Sequence, residues 1–153
     1  MNSEIKLGRI NTLKIDRKSV HGLFLVALDG DDVLLPKAYV KEDMKLDESI
    51  KVFVYNDSED RYVATTEFPK AKLGEFAYME VVDVTSFGAF INWGLPKDLL
   101  VPKKYQRIPL EVGMKFVFRV CLDEESDRLI GVHKYNEYLK NDPKDLGENE
   151  QVS

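Results

Sequence analysis

The sequence predicts an all-β chain built as two tandem five-stranded barrels. Three observations carry that expectation: a repeat at one fixed offset, strand-forming runs in the same order in both copies, and turn residues between the runs. The offset is 66 residues, as from Gly22 to Gly88. It sets VLLPKAYV (Val33–Val40) against LLVPKKYQ (Leu99–Gln106) and pairs Gly8 with Gly74, Phe24 with Phe90, Asp32 with Asp98 and Tyr39 with Tyr105. Identities this numerous at one spacing mark a duplication. NDSEDR (Asn56–Arg61) lies opposite LDEESDR (Leu122–Arg128), where the second copy has one extra residue. The copies are assigned to residues 1–66 and 74–134, with a linker at 67–73 and a short helix or acidic tail at 135–153.

Within the first copy, strands are expected near Lys6–Asp16, Val20–Leu28, Asp32–Leu35, Ile50–Tyr55 and Arg61–Thr66. Asp29-Gly30 supplies the hairpin turn between the second and third. In the second copy, Glu75–Val84 is rich in β-branched and aromatic residues, which suit a pleated surface. A Thr85-Ser86 turn leads into Phe87–Trp93, and a short strand follows at Asp98–Val101. Lys115–Leu122 alternates, with Phe116, Phe118 and Val120 on one face. Asp127–Val132 closes a hairpin across the acidic turn Asp123–Ser126. Pro102–Gly113 has room for a helical turn. Five strands with an insertion between the third and fourth match the OB barrel, whose closure hides edges that so small a domain could not otherwise cover.

Bulk properties narrow the function. The N-terminus has no apolar run of the secretory kind, and no segment approaches the roughly 20 apolar residues of a membrane span. The single Cys121 has no disulfide partner in the chain and no metal-ligand spacing around it. A reduced, cytoplasmic setting without membrane contact is expected. The net charge of −5 is awkward for a phosphate binder. Its distribution is uneven: residues 1–69 carry −3, 70–136 carry +1 and 137–153 carry −3.

The stretch SFGAF, Ser86 to Phe90, poses the functional question. Strict alternation puts Phe87 and Phe90 on opposite sheet faces, one in the core and one displayed. A bulge at Gly88 would instead bring both rings to one face, as adjacent plates on which the bases of a single strand can stack. The residues alone leave both arrangements open.

Residues 74–133 resemble the RNA-binding domain of the ribosomal protein S-one type. The resemblance rests on Gly74, on Phe87-Gly88-Ala89-Phe90-Ile91, on Leu99-Leu100-Val101, and on Val120-Cys121-Leu122-Asp123 with Arg128. It implies an RNA-facing cluster of Phe87, Phe90, Asp123 and Arg128. Pro102 stands where the family has a histidine, and the longer hairpin leaves the choice between Asp123 and Asp127 open. The first copy resembles the family more weakly, with His21 and Phe24 at the aromatic positions, Pro36 in place of the histidine, and Asp57 and Arg61 in the hairpin. It is expected to bind weakly or to act as a structural partner. The tandem with its LLPK and LVPK variants is most similar to the N-terminal part of the bacterial conserved virulence factor B family, in which further domains follow. That resemblance covers residues 4–140 and implies post-transcriptional regulation.

Around this cluster, Lys103, Lys104, Arg107, Arg119 and Arg128 are candidates for a basic track to phosphates. Trp93 is read either as an extension of the stacking surface or as packing between domains, Tyr39 and Tyr105 as packing residues, and His133 as a surface or hairpin residue. The carboxylates of Asp29, Asp31, Asp32 and Asp57–Asp60 do not follow a calcium-loop pattern, so no metal site is assigned. No nucleophile elbow, phosphate loop or catalytic triad is visible, so no enzymatic activity, cofactor or small-molecule substrate is expected. The chain reads as a binder of single-stranded RNA with low sequence specificity, acting mainly through the second copy. The alternative is a protein-interaction module on the same scaffold. A positive strip across the Phe87/Phe90 face would favour RNA; an apolar or acidic face would favour a protein.

Overall fold

In the computed structural model, residues 4–133 are described, and they form ten strands in two groups of five. The first group is β1 (Ile10–Ser19), β2 (Gly22–Val26), β3 (Asp32–Pro36), β4 (Ser49–Asn56) and β5 (Tyr62–Thr65). The second is β6 (Phe76–Thr85), β7 (Gly88–Asn92), β8 (Leu99–Pro102), β9 (Lys115–Asp123) and β10 (Arg128–Val132). One 3-10 turn follows β3 (Lys37–Tyr39) and another follows β8 (Lys103–Tyr105), the second within the Pro102–Gly113 insertion expected to hold a helical turn. The expected C-terminal helix or tail lies outside the described residues.

The first group is a closed barrel in the order β1-β2-β3-β5-β4, sealed by the parallel contact of Leu34 with Val63. The second runs β10-β9-β6-β7-β8. Its ends meet by packing rather than by a hydrogen-bonded ladder. Gly131 on β10 leaves so little room that a Cβ there would lie 3.0 Å from Val101 and 3.4 Å from Leu99 on β8. Alternation builds each core: Leu13, Ile15, Leu23, Leu25, Val33 and Leu35 point into the first, and Met79, Val81, Ala89, Ile91, Phe118 and Val120 into the second.

Strand β4 breaks the alternation, since Val52 to Asn56 are all buried. One of its faces fills the first barrel and the other meets the second barrel. Trp93, only 2% exposed, sets its ring edge-on to Phe53 at 5.8 Å and to Tyr55 at 6.4 Å. Such aromatic pairs contribute about 0.5–1.5 kcal/mol each beyond area burial. Trp93 is therefore interdomain packing, and it also lines the cavity that Phe87 and Phe90 open onto. The segment between β5 and β6 is strapped to both barrels: Leu73 N–H donates to Gly8 O, and Lys70 N–H donates to Trp93 O at 2.7 Å.

Polar contacts complete the junction. Asn56, 4% exposed, donates from Nδ2 to Asp127 O (3.2 Å), and its Oδ1 accepts from Leu129 N–H (2.9 Å). Tyr62 donates its hydroxyl to Asp127 at 2.9 Å. The Lys97 ammonium donates to the carbonyls of Asn56 (3.1 Å) and Asp57 (2.7 Å). Burial lowers the pKa of Lys97, partly offset by Asp60 and Asp57.

His133 is a correction to the surface reading. It is 6% exposed, packed 4.6 Å from the Phe116 ring and 5.2 Å from Phe118. Its Nδ1 accepts from Arg107 N–H at 3.1 Å, so the imidazole is held in a neutral form. Desolvation, with the Arg107 charge, pushes its pKa down. Tyr39 packs against the core, in keeping with its reading from the repeat.

Candidate nucleic-acid interface

The two phenylalanines are on one side, for a different reason from the bulge considered at Gly88. Thr85 pairs with Gly88, so Ser86 and Phe87 form a two-residue turn and Phe87 is not part of a strand. Gly88 has φ 144°, and a Cβ there would stand 2.4 Å from Val101 O. Only glycine lets the chain turn this close to β8. The ladder irregularity lies on β6 between Val81 and Asp83, across from Phe90 and Ile91. It sets Asp83 opposite Phe90, which in turn pairs with Leu100 on β8. Directly opposed residues share a face, so Asp83, Phe90 and Leu100 form one outward row.

Phe87, 75% exposed, and Phe90 line a cavity of about 550 Å³ against the first barrel's β4–β5 hairpin. Arg128 and Lys97 also reach it, together with Asp60, Asp83 and Asp98. The face therefore mixes two cations with three carboxylates and is not the positive strip expected of an RNA platform. Arg128 leans to Asp60 at 3.5 Å, while its Nε is buried with no hydrogen-bond acceptor among the described residues. Asp98 is pushed up, by burial first and by Asp83 second.

The remaining candidates separate. Asp123 is placed to cap its own turn, accepting from Glu125 N–H and Ser126 Oγ–H. Arg119 sits on β9 opposite Phe76, with its guanidinium 5.1 Å from that ring and its Nε donating to Gly74 O. It is not beside the phenylalanines. Lys103 and Arg107 line a neighbouring groove of about 420 Å³ with Thr85 and Gly88, next to the turn that displays Phe87. Lys104 lies 5.2 Å over Tyr105.

In the first barrel, His21, Phe24, Asp57 and Arg61 do converge, on a cavity of about 630 Å³. The same device operates: a Val20-His21 turn, Gly22 at φ 145°, and an irregularity between Ile15 and Arg17 that sets Arg17 opposite Phe24. Here the plate is covered. The Arg17 guanidinium lies 4.2 Å from the Phe24 centroid and is tied to Asp16 (2.9 Å) and Asp32 (3.1 Å). Burial pushes Asp57 up, but the N–H groups of Arg61 and Glu59 and the Arg61 guanidinium at 3.0 Å outweigh it and hold its pKa below the usual range.

Sequence reasoning missed the junction residues Asn56, Tyr62, Lys97, Phe53 and Tyr55. One signal could have found them. At the repeat offset they stand against Leu122, Leu129 (one residue further, past the hairpin insertion), Asp31, Arg119 and Cys121, and Trp93 stands against Ala27. The copies differ where they touch each other. Among the described residues, no group of three His, Cys, Asp or Glu side chains gathers as metal ligands, and no helix is long and apolar enough to cross a membrane.

Residues 7–67 match the S1 domain family model. The match falls on the first barrel, the copy whose motif is the weaker by residue type. The chain is homologous to "Uncharacterized protein YitL" of Bacillus subtilis, with 35% identity over 68% of this chain and 35% of that protein. It is also homologous to "Conserved virulence factor B" of Staphylococcus epidermidis, with 29% identity over 63% of this chain and 33% of that protein. The aligned regions thus span about a third of each curated relative. A crystal structure of a multidomain protein with nucleic acid binding domains from Streptococcus pneumoniae shares the fold. Its TM-score is 0.70 at 23% identity, covering 88% of this chain and 48% of that one.

Proposed function

We propose that this S1-domain chain is a binding protein for single-stranded RNA, held across the Phe87/Phe90 face of its second barrel. The observation that carries the reading is the convergence of an exposed Phe87, Phe90 and Arg128 on one open cavity. Bases stack on such plates with little regard to sequence, at about 1–3 kcal/mol per base. The S1 match and the nucleic acid binding domains of the pneumococcal structure agree with it. Lys103 and Arg107, which line the groove beside the Phe87 turn, would take the phosphates that leave the stack. The first barrel contributes less, because Arg17 already occupies the Phe24 ring. No catalysis is required of any residue in this reading, and regulation of transcripts in the cytoplasm is the role it fits.

The test is fluorescence anisotropy of a labelled mixed-sequence RNA across a salt series. With about two or three phosphates neutralised, log K should fall with log salt at a slope of about −1.4 to −2.1. Phe87→Ala/Phe90→Ala should weaken binding at least about 30-fold. Asp60, Asp83 and Asp98 on the same cavity favour a second reading, a protein-interaction surface. Absence of RNA binding at low salt, or an unaffected double variant, would select it.

A further inference from the structure

Around the conserved aromatic plate the two barrels differ in a way that defines a ligand. In the first, Phe24 and Asp32 hold a planar donor from the chain itself: Arg17 stacks on the ring and directs its Nη2 to the Asp32 carboxylate. The repeat carries Phe24 to Phe90 and Asp32 to Asp98, but it carries Arg17 to Asp83. The second barrel has therefore kept the plate and one of the two acceptors, since Asp16 is carried to Val82, and has lost the occupant. No hydrogen bond or ion pair reaches the Asp98 carboxylate among the described residues, and Asp83 gives only its Oδ1, to Val84 N–H at 2.9 Å. Both carboxylates line the cavity of about 550 Å³ that Phe87 and Phe90 open onto, which has room for a nucleobase and its sugar.

Resting on the RNA-binding reading above, we infer that this cavity holds a guanine-selective subsite, where the base stacks on Phe90 and donates its Watson–Crick edge to Asp98 and Asp83. Guanine alone among the four bases presents a ring N–H and an amino group side by side on that edge, a neutral copy of the guanidinium fork. In adenine and cytosine the amino group adjoins an acceptor nitrogen, and in uracil the N–H lies between two carbonyls. Each of those sets a lone pair against a carboxylate. A well-placed bidentate contact of this kind discriminates by about 1–3 kcal/mol, or about 5- to 150-fold. The burial-raised Asp98 agrees with a site that lacks its donors. The remainder of the bound strand is read only by stacking, so overall specificity stays low.

The experiment uses the full chain and short uridine oligomers carrying one central guanosine, inosine, adenosine or cytidine, with affinities from anisotropy at one salt concentration. Inosine lacks the amino group and isolates the second donor. The expected result is a preference for guanosine of about 10- to 100-fold over each of the others. Asp98→Asn should collapse that ratio to near one, and Asp83→Arg, which restores the first barrel's own occupant, should do the same. Both variants are checked for native circular dichroism. Equal affinity for all four oligomers in the wild type overturns the subsite and leaves RNA binding standing. Failure to bind any oligomer removes both, and saturable binding of an arginine-rich peptide in that case assigns the site to a protein partner.

Discussion

Truncating Asn56 tests whether the barrels are one folding unit. Its amide carries two hydrogen bonds across the junction, to Asp127 O and from Leu129 N–H, in a position 4% exposed. Each bond contributes about 0.5–1.5 kcal/mol net, and a buried N–H left without an acceptor costs about 1–3 kcal/mol. Asn56→Ala should therefore destabilise the chain by about 2–4 kcal/mol. With a urea m-value near 2 kcal/mol/M, the midpoint should fall by about 1–2 M. The chain has one tryptophan, Trp93, and it lies in the junction. Its fluorescence reports docking, while far-UV circular dichroism reports the strands. The two probes should coincide in the wild type. A fluorescence transition that precedes the dichroism change would mean that the barrels undock before they unfold, and a variant midpoint within about 0.3 M of wild type would mean that the Asn56 bonds do not hold them.

Three further outcomes follow from the same geometry. Gly88→Ala would push a Cβ to 2.4 Å from Val101 O at a φ of 144°, so the second barrel should lose at least about 2–3 kcal/mol by urea melts, with its turn displaced. His133 is held neutral, with its pKa below the unfolded value of about 6.5. The unfolded state then binds more protons at acid pH, so stability should decline as pH falls below about 6.5, and His133→Gln should flatten that limb. Tyr55 and Tyr62 are pushed up to about 12, by burial first, and then by the charge of Tyr39 for Tyr55 and by the hydrogen bond to Asp127 for Tyr62. The folded state keeps protons that the unfolded state releases near pH 10, so their contribution should be lost as pH rises from about 10 towards 12. A phenolate absorbance titration that finds every tyrosine ionised near pH 10 in the folded chain would contradict this.

The fold was legible because period-two alternation and turn residues are local signals. Leu13, Ile15, Leu23 and Leu25 announce one face, and Asp29-Gly30 announces a turn. Strand limits slipped where turn chemistry overrode alternation. β2 starts at Gly22, since the Val20-His21 pair is needed to reverse the chain, and β1 starts at Ile10, not Lys6. The placement of Phe87 depended on a glycine that approaches β8, a contact that lies along no single strand. The electrostatics of the site were not legible at all. Asp60 comes from the other barrel, and its approach to Arg128 depends on how the barrels dock. His133 was misread for the same reason, because Phe116 and Arg107 bury it from other elements.

The most direct measurement is ultraviolet crosslinking of the full chain to a single-stranded RNA, with the adducts located by mass spectrometry. Adducts are expected on Phe87 and Phe90, with few on the Arg17-covered Phe24, and they should be lost when unlabelled RNA competes. Saturable RNA binding whose adducts fall only on the first barrel, or on neither phenylalanine, would contradict this.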